Sequence, residues 1–266
     1  MSSRIVTNTD ANTVYLNYNK NQMGLSSSIE KLSTGLAINR ASDDPAGLAI
    51  SETLRAQTKA TDSAVGVIAN VSNFINTADS FLQNVNDILG RMSELAVKYN
   101  DPTLSTSDQA NITTEFNALT NEISNTFAQA KFNGQKIFNG QTATLMVDAN
   151  GTQYSLAASD LATLSSTITS LSGTTDTQSL ADVQQAISTI SAQRANLGAD
   201  QARLNYESSA QQNYSNNVSA AESRIRNVDM AKESANFARE QVLVQASTSM
   251  LSQANQSGQS VLKLLQ

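Results

Sequence analysis

The chain has 266 residues, with neither Cys nor His, and a formal net charge of -6 from 17 basic and 23 acidic residues. Without Cys there are no disulfides and no thiolate metal sites. Without His the commonest general base and metal ligand are missing, so the composition argues against an enzyme, and no cofactor is expected. No run of five or more basic residues exists to favour nucleic acid, and no stretch approaches the roughly eighteen consecutive apolar residues of a membrane span.

Aromatic residues make up 5% of the chain and Trp is absent. Such a composition suits long helices whose narrow apolar stripes meet along their length. The opening residues, MSSRIVTNTDANTVYLNYNK, lack the apolar core of a signal peptide. Within and after them Ala11, Tyr15, Tyr18, Leu25, Ile29, Leu32 and Leu36 recur in one heptad register, which predicts a long amphipathic helix. Asp43-Asp44-Pro45 then interrupts the pattern. Aspartate is a good N-cap, proline suits the first helical position, and the residue before a proline avoids helical dihedrals. Helix capping accounts for the local chemistry. A joint between two domains is the larger expectation, and it rests on the change from a weak stripe before Pro45 to a strong one after Ile68.

From Pro45 the helical pattern continues to Asp101-Pro102, a length of about 80 Å, which predicts a rod. Its seam runs through Val71, Phe74, Ala78, Phe81, Val85, Ile88, Met92, Leu95 and Tyr99, flanked by Ile68, Ile75, Leu82, Leu89 and Ala96. Two adjoining rows suit a bundle of more than two helices. Thr106-Ser107-Asp108-Gln109 reads as a capping box opening an antiparallel helix with the stripe Ile112, Phe116, Leu119, Ile123, Phe127 and Ala130. Asn133-Gly134, Asn139-Gly140 and Asn150-Gly151 are turn dipeptides, and alternation at Ala143, Leu145 and Val147, followed by Thr152–Leu156, predicts a hairpin.

The helical pattern resumes at Leu180 with Val183, Ile187, Ile190, Leu197, Leu204, Val218 and Ile225. Arg194, Gln201, Ser208, Gln211 and Ser215 occupy other core slots, so this part of the seam is weakly apolar. A last amphipathic segment, Ala231 to Leu265, carries Leu243, Ala246, Met250, Ala254, Val261 and Leu265 on one side. Both ends therefore bear stripes that a pair of helices cannot fully bury. The expected fold class is mainly α: an elongated antiparallel helical bundle or coiled coil with a small β-hairpin and paired N- and C-terminal helices.

The stretch IEKLSTGLAINRASDDPAGLAIS closely resembles the N-terminal signature of bacterial flagellin. RMSELAVKY and KFNGQKIFNG are similar to the family's rod region, and SRIRNVDMAKESANFAREQVLVQASTSMLSQANQSGQSVLKLLQ to its C-terminal signature. The motifs stand in the family's order over roughly residues 1–140 and 180–266. With only 141–178 between them, the chain resembles a minimal flagellin without the large outer domains.

This resemblance implies a self-assembling subunit of the flagellar filament, a homo-polymer located outside the cell after export without a cleaved signal peptide. It implies a terminal coiled-coil domain (1–45 and 226–266) forming an inner tube, and a rod-like domain (46–225) with a hairpin at about 135–178. Asp43, Asp44 and Pro45 would mark the joint between them. Leu25, Ile29, Leu32, Leu36, Leu243, Met250, Val261 and Leu265 would form the terminal assembly stripe. Partners implied are a flagellar export chaperone, the cap and hook-associated proteins, and Toll-like receptor 5. Arg91, Leu95 and Glu115 match positions recognised by that receptor and used between subunits, although Leu95 also fits a core position of the heptad. The alternative within the same pathway is the hook–filament junction protein. A membrane-surface role is disfavoured, because the polar faces are rich in Asn, Gln and Ser rather than Lys and Arg.

Overall fold

The computed structural model describes residues 8–138, 143–146, 153–156 and 177–263, with side-chain surroundings for 8–138 and 180–256. Among the described residues are five helices: α1 (Thr9–Thr34), α2 (Pro45–Tyr99), α3 (Thr106–Gln129), α4 (Thr177–Arg226) and α5 (Met230–Lys263). Four short strands accompany them, β1 (Lys131–Phe132), β2 (Gln135–Lys136), β3 (Ala143–Met146) and β4 (Gln153–Leu156), paired antiparallel as β1-β2 and β3-β4. The mainly α class with paired terminal helices is what the periodicity predicts. The chain divides into two compact units, residues 1–56 with 217–266 and residues 57–216.

The second unit holds the apolar core. On α2, buried residues recur every seven positions in two rows: Ile68, Ile75, Leu82, Leu89 and Ala96, and Val71, Ala78, Val85 and Met92. The sequence pattern pairs the Val71 row instead with Phe74, Phe81, Ile88 and Leu95. The first three of these are only partly buried, packed against the edge of the core, and Leu95 alone of them is buried. The shift has a simple cause. Residues of both α3 and α4 join the same core, so the middle of the stripe is the row between the two partners. Each fully buried Leu or Ile stabilises the unit by roughly 1.5–3 kcal/mol relative to exposure.

A reciprocal capping box starts α3. The Ser105 hydroxyl accepts from Asp108 N at 3.2 Å, and Asp108 Oδ2 accepts from Ser105 N at 3.2 Å. The box therefore uses Ser105 and Asp108, one residue earlier than the Thr106–Gln109 spacing suggests. Asp101 accepts from the Thr103 backbone and hydroxyl in the connection, where Pro102 prevents α2 from continuing.

Asn133 (φ 49°) and Gly134 (φ 78°) form the two-residue turn between β1 and β2, the left-handed pair that such tight hairpins require. This small hairpin brings Phe132 edge-on to Phe74, and beyond it Phe138 stands edge-on to Phe127 at 4.9 Å. It closes the end of the core with Ile137 and Phe138. β3 pairs with β4 in the register Ala143↔Leu156 to Met146↔Gln153, the hairpin predicted from the alternation. The turn dipeptide Asn150-Gly151 lies outside the described residues.

Along α4 the buried positions Val183, Ile190, Leu197, Leu204, Gln211 and Val218 are spaced by seven. The weakly apolar seam is met by polar partners on α2. Arg194 Nε donates to Asp79 Oδ1 at 2.7 Å, Gln201 Nε2 to Ser72 Oγ at 2.7 Å, and Ser215 Oγ to Asp62 Oδ1 at 2.9 Å. These bonds give the polar slots partners across the seam, while Gln201 Oε1 stays buried without one among the described residues.

Candidate functional site

The first unit is built on a different principle. α1 opens at Asn8, whose Oδ1 accepts from Ala11 N while its Nδ2 donates to Ala254 O on α5. α1 closes at Gly35, left-handed at φ 73°, whose N–H bonds to Lys31 O. Between these caps α1 and α5 pack on each other.

Less exposed positions recur on α1 at Ala11, Val14, Tyr18, Asn21, Leu25, Ser28 and Leu32, and on α5 at Glu233, Phe237, Glu240, Val244, Ser247, Leu251 and Ala254, with Asn19, Gly24, Glu30, Lys31 and Asn236 half-buried beside these two rows. Both sets step by three and four, a heptad seam. Several seam residues are polar. Ser28 is buried and donates to Glu233 Oε1 at 2.6 Å, and Asn21 Nδ2 donates to the buried Ser247 at 3.2 Å. At Gly24 an added Cβ would stand 3.1 Å from Glu240 Cδ, so the glycine admits the glutamate to the seam.

Large apolar side chains remain outside this seam. Tyr15, Leu16, Met23 and Ile29 of α1 and Met230, Val242, Leu243 and Met250 of α5 are all exposed, Met23 at 68% and Val242 at 65%. In the observed register Leu16 and Met23 fall on the side of α1 opposite the seam.

The predicted stripe is thereby divided. Leu25 and Leu32 contribute to the helix pairing, whereas Ile29, Leu243 and Met250 point to solvent. Leu36 does not belong to the helix at all, because Gly35 ends α1 before it. The Val261 side chain and Leu265 lie outside the described residues. Leu16, Met23 and Val242 are absent from the predicted stripe, although the seven-residue step from Leu16 to Met23 is visible in the sequence.

The segments that connect α1 to α2 and α4 to α5 are tied together. Leu36 and Asn227 form an antiparallel bridge, with Ala37 N donating to Arg226 O at 2.7 Å and Val228 N to Gly35 O at 3.0 Å. The bridge at Leu36 is thus held by the amide and carbonyl of its two chain neighbours, Ala37 and Gly35.

Asp43, Asp44 and Pro45 each have a local role beside this bridge. Asp43 Oδ2 accepts from the backbone N–H groups of Arg40 and Asn39 at 2.9 and 3.0 Å. Those two bonds, the Arg40 one foremost, hold its carboxyl below the usual range, helped by the nearby charges of Lys31 and Arg40. Asp44 Oδ1 accepts from Gly47 N at 3.0 Å and so caps α2, with Pro45 at the first helical position. A Cβ at Gly47 would run into the Asp44 carboxylate and stand 2.9 Å from Ile38 Cδ1. Glycine thus lets the Asp44 cap and the buried Ile38 keep their places at the start of α2; a methyl there would force one of them to shift.

Arg226 Nη1 meets Glu52 Oε1 at 2.6 Å beside the bridge. Gly47, Glu52 and Arg226 are missing from the predicted set, since no periodicity marks them.

In the second unit Arg91 binds Glu115 Oε1 through both Nε and Nη2, and Glu94 through Nη1, all at 2.9 to 3.1 Å. Glu115 and then Glu94 raise the Arg91 pKa above its ordinary value. Leu95 is 2% exposed and lies in the core. Of the predicted trio, Arg91 and Glu115 form one exposed ion pair between α2 and α3, and Leu95 sits inside.

A model of the bacterial flagellin N-terminal helical region matches residues 5–143, and one of the C-terminal helical region matches residues 180–265. The chain belongs to the bacterial flagellin family. The matched regions contain α1 to α3 with the first hairpin, and all but the first three residues of α4 with α5.

Among its relatives, the flagellin of Halalkalibacterium halodurans is 41% identical, covering 94% of this chain and 93% of that protein. The flagellar filament 33 kDa core protein of Treponema phagedenis is 35% identical over 91% and 93% of the two chains. These flagellin relatives are thus of similar length, in keeping with a short form of the family. The structure of a Vibrio parahaemolyticus protein assigned as hook-associated shares the fold at 15% identity, with a TM-score of 0.58, over 70% of this chain and 100% of that one.

Proposed function

We propose that this flagellin-family chain is the structural subunit of a flagellar filament and polymerises through the apolar surface that α1 and α5 leave exposed. The observation that carries the reading is the pairing itself. α1 and α5 occupy each other's seam, yet Leu16, Met23, Ile29, Val242 and Met250 remain in water. Surface of that kind is covered when many copies come together, at roughly 25 cal/mol per Å² of apolar area. Relatives named as flagellin and as filament core protein support the same reading.

In this reading the terminal residues 1–45 and 226–266 form the inner tube, 46–225 form the rod around it, and the Asp43–Pro45 segment is the joint between them. The chain is exported without a cleaved signal peptide and works outside the cell. It meets the export chaperone, the cap and the hook-associated proteins on the way, and it has no catalytic role. Arg91 and Glu115 provide a charged surface for neighbouring subunits and for a receptor of the Toll-like receptor 5 type.

The test is polymerisation of the purified full chain, followed by sedimentation and electron microscopy. The wild type forms helical filaments, whereas Leu16→Asp with Val242→Asp stays soluble with unchanged helix content. Removal of residues 261–266 hinders polymerisation and spares the second unit. Filament growth by the double aspartate variant at the wild-type rate would refute the reading.

A further inference from the structure

The exposed apolar surface has a chemical vulnerability that the core lacks. The chain contains no Cys, so thioethers are its only sulfur. Met23, Met230 and Met250 are 68%, 51% and 59% exposed, whereas Met92 in the core is 0% exposed. Two of the three sit in apolar strips rather than alone. Leu16 and Met23 are seven residues apart on α1, as are Leu243 and Met250 on α5, and all four are exposed. Residues seven apart share a helix face, so each methionine extends a leucine surface.

We propose that Met23, Met230 and Met250 are sites of reversible oxidation, and that their sulfoxides keep the chain unpolymerised. The proposal rests on the filament reading and adds a regulatory chemistry to the same surface.

The oxidant is a peroxide. The thioether sulfur attacks one peroxide oxygen, the O–O bond breaks and an S–O bond forms. Sulfur is oxidised by two electrons, hydrogen peroxide is reduced, and water leaves. The product is a polar, chiral sulfoxide in place of a flexible apolar side chain. On the free chain it costs little, because water solvates it. Between subunits it must shed that water without a designed partner, and an unpaired polar group in an apolar contact is unfavourable. Methionine sulfoxide reductases reverse the change, one enzyme for each sulfoxide epimer.

The test treats the purified full chain with hydrogen peroxide and maps oxygen addition by peptide mass spectrometry. Among the methionines with described side chains, Met23, Met230 and Met250 gain oxygen before Met92, while helix content is unchanged. The critical concentration for polymerisation rises about tenfold or more. Treatment with both reductases restores it. The variant Met23→Leu, Met230→Leu, Met250→Leu, whatever its own critical concentration, shows no further rise after peroxide when compared with its untreated sample. Met23→Gln with Met250→Gln polymerises poorly without any oxidant.

Equal oxidation of Met92 and the exposed three would overturn the site assignment. Normal polymerisation of the oxidised wild type, or equal loss in the peroxide-treated leucine variant, would overturn the regulatory role alone. An untreated wild type that never polymerises would refute the filament reading, and with it the assembly half of this inference.

Discussion

Arg226 donates from Nη1 to Glu52 Oε1 at 2.6 Å, and its side chain is only 14% exposed. The same residue's carbonyl accepts from Ala37 N, so Arg226 serves the two connecting segments with both backbone and side chain. Its Nε is buried without a partner among the described residues. The guanidinium therefore depends on Glu52 for its compensation. Glu52→Ala should destabilise the first unit by roughly 1.5–3 kcal/mol, the range for losing a hydrogen bond to a charged group. Glu52→Gln, which keeps an acceptor, should cost less. Chemical denaturation followed by circular dichroism measures both, and equal losses would show that the charge itself matters little.

Two glycines of α2 should respond in opposite directions. Gly66 is exposed in the helix interior, and an added Cβ would meet nothing within 4 Å. Gly66→Ala should stabilise by roughly 0.5–1 kcal/mol through helix propensity. Gly47→Ala would drive a methyl into the Asp44 carboxylate and the Ile38 side chain, and should cost about 1–3 kcal/mol. Thermal melts of the two variants give the comparison directly.

Arg91 and Leu95 separate surface from core. Leu95→Ala should lose about 2–5 kcal/mol of stability by opening a cavity among buried neighbours. Arg91→Ala removes an exposed, solvent-screened ion pair with Glu115 and should leave stability nearly unchanged. The two variants should then part in assays of assembly and receptor activation. Arg91→Ala is the one whose effect, compared at equal folded protein, reports on recognition.

Acid should loosen the α3 cap and the segment between α1 and α2. Asp43 and Asp108 both titrate below their ordinary value of 3.8, Asp43 through the Arg40 and Asn39 amides and Asp108 through the Ser105 hydroxyl and then its amide. A carboxyl whose folded value is depressed stabilises fully above 3.8. It loses that stabilisation as pH falls through the lower folded value. Helix content and melting temperature should accordingly be flat with respect to these groups above that point and decline below it. In Asp43→Asn with Asp108→Asn the decline should be shallower, from a lower plateau. An unchanged acid profile would remove these two groups from the account.

Helix identity, the second hairpin and the weakness of the α4 seam follow from local sequence alone, because period and turn chemistry need only neighbouring residues. Leu25 and Leu32, Asp44 with Pro45, and the polar slots at Arg194 and Gln201 are readable for the same reason. Which row of a broad stripe becomes its centre is not. Ile75 and Leu82, rather than Phe74 and Phe81, lie deepest on α2 because residues of two other helices share the core, and that needs the tertiary arrangement. The division of the terminal stripe between Leu25 and Ile29 is decided in the same way, since one side of α1 belongs to α5 and the other to solvent. Glu52 and Arg226 are 174 positions apart in the chain, and Gly47 matters only because Ile38 folds under it. Periodicity reports a residue's angle on its own helix, whereas folding decides which angles meet protein and which meet water.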